Sequence, residues 1–434
     1  MSITSQVREG LKNPAFKSVG IYIFTNFFSK GVSFILIPLF TNPLYLTPAD
    51  NGLLSLFNSN MVLLAPFISL GLIQSSTADF YKKSKDDFGA SFTSSFMISF
   101  LMALLAGILL FIFRDILQDK FHVPASFAFI LPGLAFLIFS GEQLFALIRN
   151  RNEVKRFAII GISKSIIEYA LSVVLIVFCL SGWMGRIWGI AASLIAVNLF
   201  AIGYYIKNKY ISFKFKKTQL VEELKFGVPI FAFQLCVFML GTSNKLFLAI
   251  FKADPSQLGI YSIACVFGTM IGVVSQSILL YAQPQLYKSI SKGEATIQSV
   301  KRDFFRYFKM LTGLSVACIL VVLFAYYFLI NKVYLPGIKY FFLVALASYI
   351  WGLNYFLFLF LLYHKQKRRI LTVTLISLTC SITVNTIMVK NFLILGDALA
   401  SLINTMIFSL LIFLFAKKII RDTLTKNLKP AIAV

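Results

Sequence analysis

Long apolar runs separated by short charged ones dominate the chain. A membrane-crossing helix needs about 20 mostly apolar residues. Twelve such runs are predicted, at roughly 18–40, 52–75, 90–113, 125–148, 157–180, 187–206, 226–251, 259–285, 307–330, 340–363, 370–389 and 396–416. The connections between them leave no room for an inserted soluble domain. Prolines fall inside the runs at Pro38, Pro66, Pro132, Pro229 and Pro284. Each of these frees a backbone carbonyl and bends its helix, which a neighbouring helix or a cavity must then satisfy.

A repeat lies within this pattern. Thr47-Pro48-Ala49-Asp50-Asn51-Gly52-Leu53-Leu54-Ser55-Leu56 returns, altered, as Asp254-Pro255-Ser256-Gln257-Leu258-Gly259-Ile260-Tyr261-Ser262-Ile263, 207 positions later. Phe80-Tyr81-Lys82 is echoed by Leu286-Tyr287-Lys288 at an offset of 206. Two matches in the same order at nearly one offset indicate a duplicated half, a recurring plan in transporters. In each copy a proline starts a turn and a glycine opens an apolar helix that a Tyr-Lys pair closes. Pro48, Gly52, Pro255 and Gly259 therefore mark the repeat and are candidate hinges. The expected fold class is an all-α integral membrane protein with twelve transmembrane helices in two six-helix lobes. Residues 1–210 and 226–434 form the lobes, and a cytoplasmic basic linker at 211–225 joins them.

Composition sharpens this reading. Of 434 residues, 58% are hydrophobic and 13% charged, and mean hydropathy is +0.83, too apolar to surface a soluble protein. The formal net charge of +24 would suggest nucleic acid on a soluble chain. Here 31 of the 41 Lys and Arg lie on one side of the predicted spans and 7 on the other, with Lys30, Lys164 and Lys245 inside spans. That asymmetry places both termini in the cytoplasm, and no nucleic-acid partner is expected. The basic segment 207–225 is expected to rest on anionic membrane lipid. Arg8, Lys12 and Lys17 precede the first run without a small-residue cleavage site, so that run is expected to stay as a span. The five cysteines all lie in apolar runs and read as small buried hydrophobes. His122 and His364 fall in opposite-facing connections, and neither metal-ligand spacing nor a phosphate-cradling loop is present. An enzyme is not expected and no cofactor is implied, with proton or sodium coupling left open.

Ionisable residues inside spans carry the candidate chemistry, since each costs about 2.5–3.5 kcal/mol at a helix centre unless paired or hydrated. Lys164 and Glu168 share one face of the fifth span, either as a private ion pair or as a polar stripe on a wet cavity. Glu142, beside Gln143, is placed to pair with Arg149, to snorkel, or to serve in the cavity. Lys30 and Lys245, the latter beside Ser243 and Asn244, have no acid within four residues. A cavity suits them better than lipid.

The Pro48–Gly52 and Pro255–Tyr261 turns, Leu70-Gly71-Leu72 ahead of Asp79-Phe80-Tyr81, Phe226-Gly227-Val228-Pro229, and the basic Arg149-Asn150-Arg151 together resemble the polysaccharide-transport family. This is the O-antigen type of lipid-linked-oligosaccharide flippase, in the superfamily that also holds the MATE multidrug exporters. The resemblance spans essentially the whole chain. It implies two six-helix bundles forming a V, with a central cavity open alternately to cytoplasm and periplasm. The implied substrate is an oligosaccharide on undecaprenyl diphosphate, carried across the bacterial inner membrane. A polysaccharide polymerase and a chain-length regulator are the implied partners. Lys30, Lys164 and Lys245 are then the cavity cations for an anionic headgroup, with Glu142, Glu168 and Asn244 as polar or coupling positions. Where such proteins often carry Asp-Arg in span seven, this chain has Asn244-Lys245, keeping the positive charge and losing the acid. The alternative is a MATE-like cation-coupled drug exporter, which would favour acidic cavity residues. A third class, a membrane polymerase, would need a large periplasmic loop.

Overall fold

The computed structural model describes residues 14–426 apart from 122–123, 125, 213–220, 226, 229, 232–233, 236–237, 239–243, 293–294 and 364–366. Among these residues the regular structure is helical and no strand occurs. Among the described residues nine helical segments are long and apolar enough to cross a membrane. The protein is thus a multi-pass membrane protein. The chain divides into two compact units, Met1–Leu235 and Cys236–Val434.

Unit 1 contains α1 (Pro14–Ile35), α2 (Ile37–Phe40), α3 (Pro48–Ser69), α4 (Leu72–Lys82), α5 (Lys85–Ile112), α6 (Arg114–Phe121), α7 (Phe127–Asn150), α8 (Val154–Val173, continued by a π-helical turn Val174–Phe178) and α9 (Gly182–Lys207). The repeat motif starts α3. Pro48 supplies the first-turn φ where no N–H is needed, and Thr47 and Asp50 cap each other's backbone N–H reciprocally. The predicted second span does not run on to residue 75. Leu70 and Gly71 both adopt left-handed backbone (φ 43 and 70), so α3 ends and α4 starts afresh. The helix α7 is the hub of unit 1 and packs against α3, α4, α5, α8 and α9. Its buried face presents Phe127, Leu131, Leu134, Phe139, Leu144 and Leu147. An aromatic cluster of Phe88, Phe92, Tyr205 and Tyr210 packs beside it.

Unit 2 contains α10 (Asn244–Ile250), α11 (Pro255–Gly268), α12 (Met270–Ser291), α13 (Ile297–Phe328), a 3-10 turn Lys332–Gly337, α14 (Ile338–Tyr363) and α15 (Lys367–Lys426). The second copy of the motif starts α11, where Asp254 caps the Gln257 N–H at 3.1 Å and Pro255 again opens the helix. Here α14 is the hub, packing against α11, α12, α13 and α15. Tyr307 Oη donates to the Gly352 carbonyl at 2.7 Å, and Trp351 stacks on Phe408. The last two predicted spans are joined through Leu393, whose backbone (φ 47, ψ −121) is non-helical inside α15.

The Tyr-Lys echo has a structural counterpart. Tyr81 Oη donates to the Asn150 carbonyl at 3.2 Å, at the end of α7. Tyr287 Oη donates to the Leu359 carbonyl at 3.3 Å, late in α14. Each tyrosine thereby ties its helix to the hub of its own unit. The cysteines depart from expectation: Cys179 is exposed and Cys265, Cys318 and Cys380 are partly so. Helix surfaces facing lipid need apolarity, and burial is not required there. Cys236, His122, His364 and Pro229 lie outside the described residues.

Candidate functional site

In unit 1 the first and fifth predicted spans lie side by side. Gly161 on α8 lets α1 come close, since a Cβ there would stand 2.7 Å from Thr25 Cγ2. One turn further the Ser29 and Ser165 hydroxyls bond at 2.5 Å. Both contacts have the same sequence offset, so the two helices run parallel and in step. The structure thereby brings Lys30 and Lys164 to adjoining turns, each next to one of the bonded serines. Lys30 is exposed and Lys164 half-buried. Among the described residues neither forms an ion pair.

The predicted alternative of a private Lys164–Glu168 pair is not what forms. Glu168 Oε1 accepts instead from Arg186 Nη2 on α9 at 2.6 Å, while Arg186 Nη1 donates to Ser172 Oγ at 2.9 Å. The guanidinium also lies 4.4 Å from the Tyr169 ring centroid. A planar fork reaching two acceptors and stacking on an aromatic face outcompetes a flexible ammonium one turn away. Glu142 is exposed and forms no ion pair with Arg149 among the described residues. Its neighbour Gln143 is fully buried and donates to Ser76 Oγ at 3.1 Å.

In unit 2, Lys245 is half-buried in the first turn of α10, directly after Asn244, and α10 packs against α15. On α15 stands Asp397, a carboxylate with 1% exposure that feels the Lys245 charge, although among the described residues the two form no ion pair and neither Asp397 oxygen has a hydrogen-bond partner. Tyr261 of the repeat motif is the other polar neighbour of Asp397. Lys245 has no acid near it in sequence, yet the fold supplies one. Asp397 sits one residue inside the last predicted span, and that position alone was the signal for it. Arg186 stands at the edge of a predicted connection and gave less warning.

Pro48 and Pro255 occupy the first helical position of α3 and α11. Gly52 and Gly259 are buried one turn later, and Ser55 and Ser262 are buried beyond them. These four repeat residues therefore sit in helix starts.

Residues 15–284 match the family described as polysaccharide biosynthesis protein. No curated protein sequence matches the chain. Among solved structures, the lipid II flippase MurJ in an inward closed conformation aligns with a TM-score of 0.73 at 14% identity, covering 93% of this chain and 90% of its own. An inward-facing multidrug resistance MATE family transporter of the MOP superfamily gives 0.67 at 15% identity, covering 92% of this chain and 98% of its own. A MATE in the straight conformation gives 0.57 at 16% identity, covering 94% and 95%. At such identities these likenesses establish a common fold. The family match extends over well more than half of the chain, which therefore belongs to the polysaccharide biosynthesis protein family, on the fold it has in common with MATE transporters and MurJ.

Proposed function

We propose that this protein is a flippase for undecaprenyl-diphosphate-linked oligosaccharide repeat units, of O-antigen or a related surface polysaccharide. It carries them from the cytoplasmic to the periplasmic leaflet of a bacterial inner membrane by alternating access, with both termini in the cytoplasm. Family membership supports the substrate class. One observation carries the reading to the residues: Arg186 takes Glu168, so Lys30 and Lys164 keep their charges on adjoining turns of two parallel helices. Charge at that depth is costly against lipid and tolerable against water, so the flank they form is a wetted one. A diphosphate offers a counter-charge that neither lysine finds among the described residues. Lysine acts there as a point charge, without the fixed fork that an arginine would impose on the headgroup.

A drug-export reading would rest on Glu142, the exposed acid on α7, against two lysines that would repel a cationic drug. Deleting the gene separates the readings. The flippase reading expects surface polysaccharide to vanish, lipid-linked repeat units to accumulate on the cytoplasmic leaflet, and drug susceptibility to stay at its starting level. Normal surface polysaccharide with lost drug efflux would overturn it. Transfer of completed units to a polymerase under a chain-length regulator is part of the same proposal.

A further inference from the structure

The segment between residues 207 and 225 carries the chain from unit 1 towards unit 2, and its described ends are both held on α5. At the near end, Ser212 N–H donates to Thr93 Oγ1 at 3.0 Å and the Tyr210 ring meets Phe88 edge-on. Arg151 Nη1 donates to Tyr210 Oη at 3.2 Å. At the far end, residues 221–225 are helical and Glu223 is 2% exposed. Glutamate is almost never buried so completely unless it is paired.

Its pairing is unusual. Lys83 Nζ lies 2.6 Å from Asp79 Oδ2 and 3.4 Å from Glu223 Oε1. Ser91 Oγ bonds both Asp79 Oδ2, at 3.1 Å, and Glu223 Oε1. Glu223 Oε2 is buried and makes no hydrogen bond to a described donor, with Asp79 and the Ser75 hydroxyl as its polar neighbours. Two carboxylates facing one ammonium would leave one uncompensated negative charge in a closed site. Ser91 has a single hydroxyl proton and serves only one carboxylate at a time. A proton on Glu223 removes the surplus charge and turns the unsatisfied oxygen into a donor towards Asp79.

We propose that Asp79 and Glu223 form a one-proton binding site beneath Lys83, and that the proton clamps residues 221–225 onto α5. The proposal is independent of what the protein carries. Burial and the neighbouring Asp79 push Glu223 above the ordinary 4.5. Burial also pulls Asp79 upward, but its hydrogen bond from Glu223 and the Lys83 charge outweigh that and hold it below its ordinary range. Among the described residues the ion pairs of this contact join Lys83, Asp79 and Glu223. Asp86 at the start of α5 is exposed, Asp87 accepts from Ser84, Glu222 and Lys225 are exposed, and Glu142 on α7 is exposed. The sign follows from the raised value. Clamping takes up a proton, so it is complete below the ordinary glutamate range and weakens as pH rises through the clamped value.

The test uses the full chain in lipid nanodiscs, with hydrogen–deuterium exchange over residues 207–227 corrected for intrinsic rates. Wild type is expected to lose protection at 221–225 by about tenfold between about pH 3.5 and about pH 8, the equivalent of a one-unit shift. Glu223→Gln keeps a neutral donor and should stay protected at both pH values, whereas Glu223→Ala should be unprotected at both. The α7 peptides serve as the folding control. An infrared carboxylic-acid band at about pH 5 that disappears in Glu223→Gln would support the shared proton without reference to exchange. A Glu223→Gln variant with the wild-type pH dependence, a wild type with none, or an unchanged carboxylic-acid band would overturn the proposal.

Discussion

Lys30 and Lys245 stand in the first helix of their respective halves, each a lone base in an apolar run, yet the fold treats them differently. Lys30 is exposed on α1 and has no ion pair among the described residues, while the acid nearest its neighbour Lys164 is held by Arg186. Lys245 is half-buried, and its charge falls on Asp397, buried on α15. A charged residue in a membrane span thus says little until its counter-charge is found. For Lys245 that counter-charge lies 152 positions away in the chain. The comparison moves weight from Lys245, which the sequence favours for headgroup binding, to Lys30 and Lys164. Lys245 stands instead within electrostatic reach of Asp397, with no ion pair formed between them among the described residues.

The largest effect should come from separating those two residues. Lys245→Ala removes the charge that favours an ionised Asp397, and a loss of about 2 kcal/mol is expected. Membrane abundance and the thermal midpoint of the detergent-extracted protein should both fall. Lys245→Ala/Asp397→Asn should recover most of the loss, because the orphaned charge has gone. Normal abundance in Lys245→Ala would return Lys245 to equal standing with Lys30.

Unit 1 should respond in the opposite sense. Lys30→Ala and Lys164→Ala should leave abundance at the wild-type level and each lower repeat-unit translocation about tenfold, equivalent to ~1.4 kcal/mol of binding or barrier. Lys30→Arg should keep much of the activity. If both alanine variants reduce abundance and spare translocation, the contrast between the two lysines collapses.

The smallest expected difference compares the two copies of the repeat. Thr47→Ala removes one side of a reciprocal cap and Asp254→Ala a single cap, each at a cost of about 1 kcal/mol. Thr47→Ala should lower the thermal midpoint more, since the Thr47 hydroxyl also donates to Asp50 Oδ2 at 2.7 Å. Equal shifts would mean that the bond from the Thr47 hydroxyl to the Asp50 carboxylate contributes nothing.

The sequence made the helices legible because apolar runs of bilayer length have one stable form in lipid, and the repeat was legible because its Pro and Gly sit where helix starts need them. Side-chain partners were not legible. Glu168 has Lys164 one turn away in sequence and Arg186 across a helix interface in space, and only the packed interface decides between them. Asp79, Lys83 and Glu223 read as ordinary charges at span ends, although the last is buried 140 positions from Lys83. The break at Leu70–Gly71 was also hidden, since an apolar run continues through it unchanged.

That break determines how force passes through unit 1. A continuous helix resists bending because each turn's carbonyls are held by the next. Between α3 and α4 this ladder is interrupted, and the local support comes from the side. A Cβ on Gly71 would stand 2.8 Å from the Gly227 carbonyl oxygen, and one on Gly227 would stand 2.2 Å from that of Leu70. Two backbones in such close contact, with no side chain between them, form a bearing surface. The helix α4, which bears Asp79, therefore starts from a joint that the Gly227 backbone supports from the side.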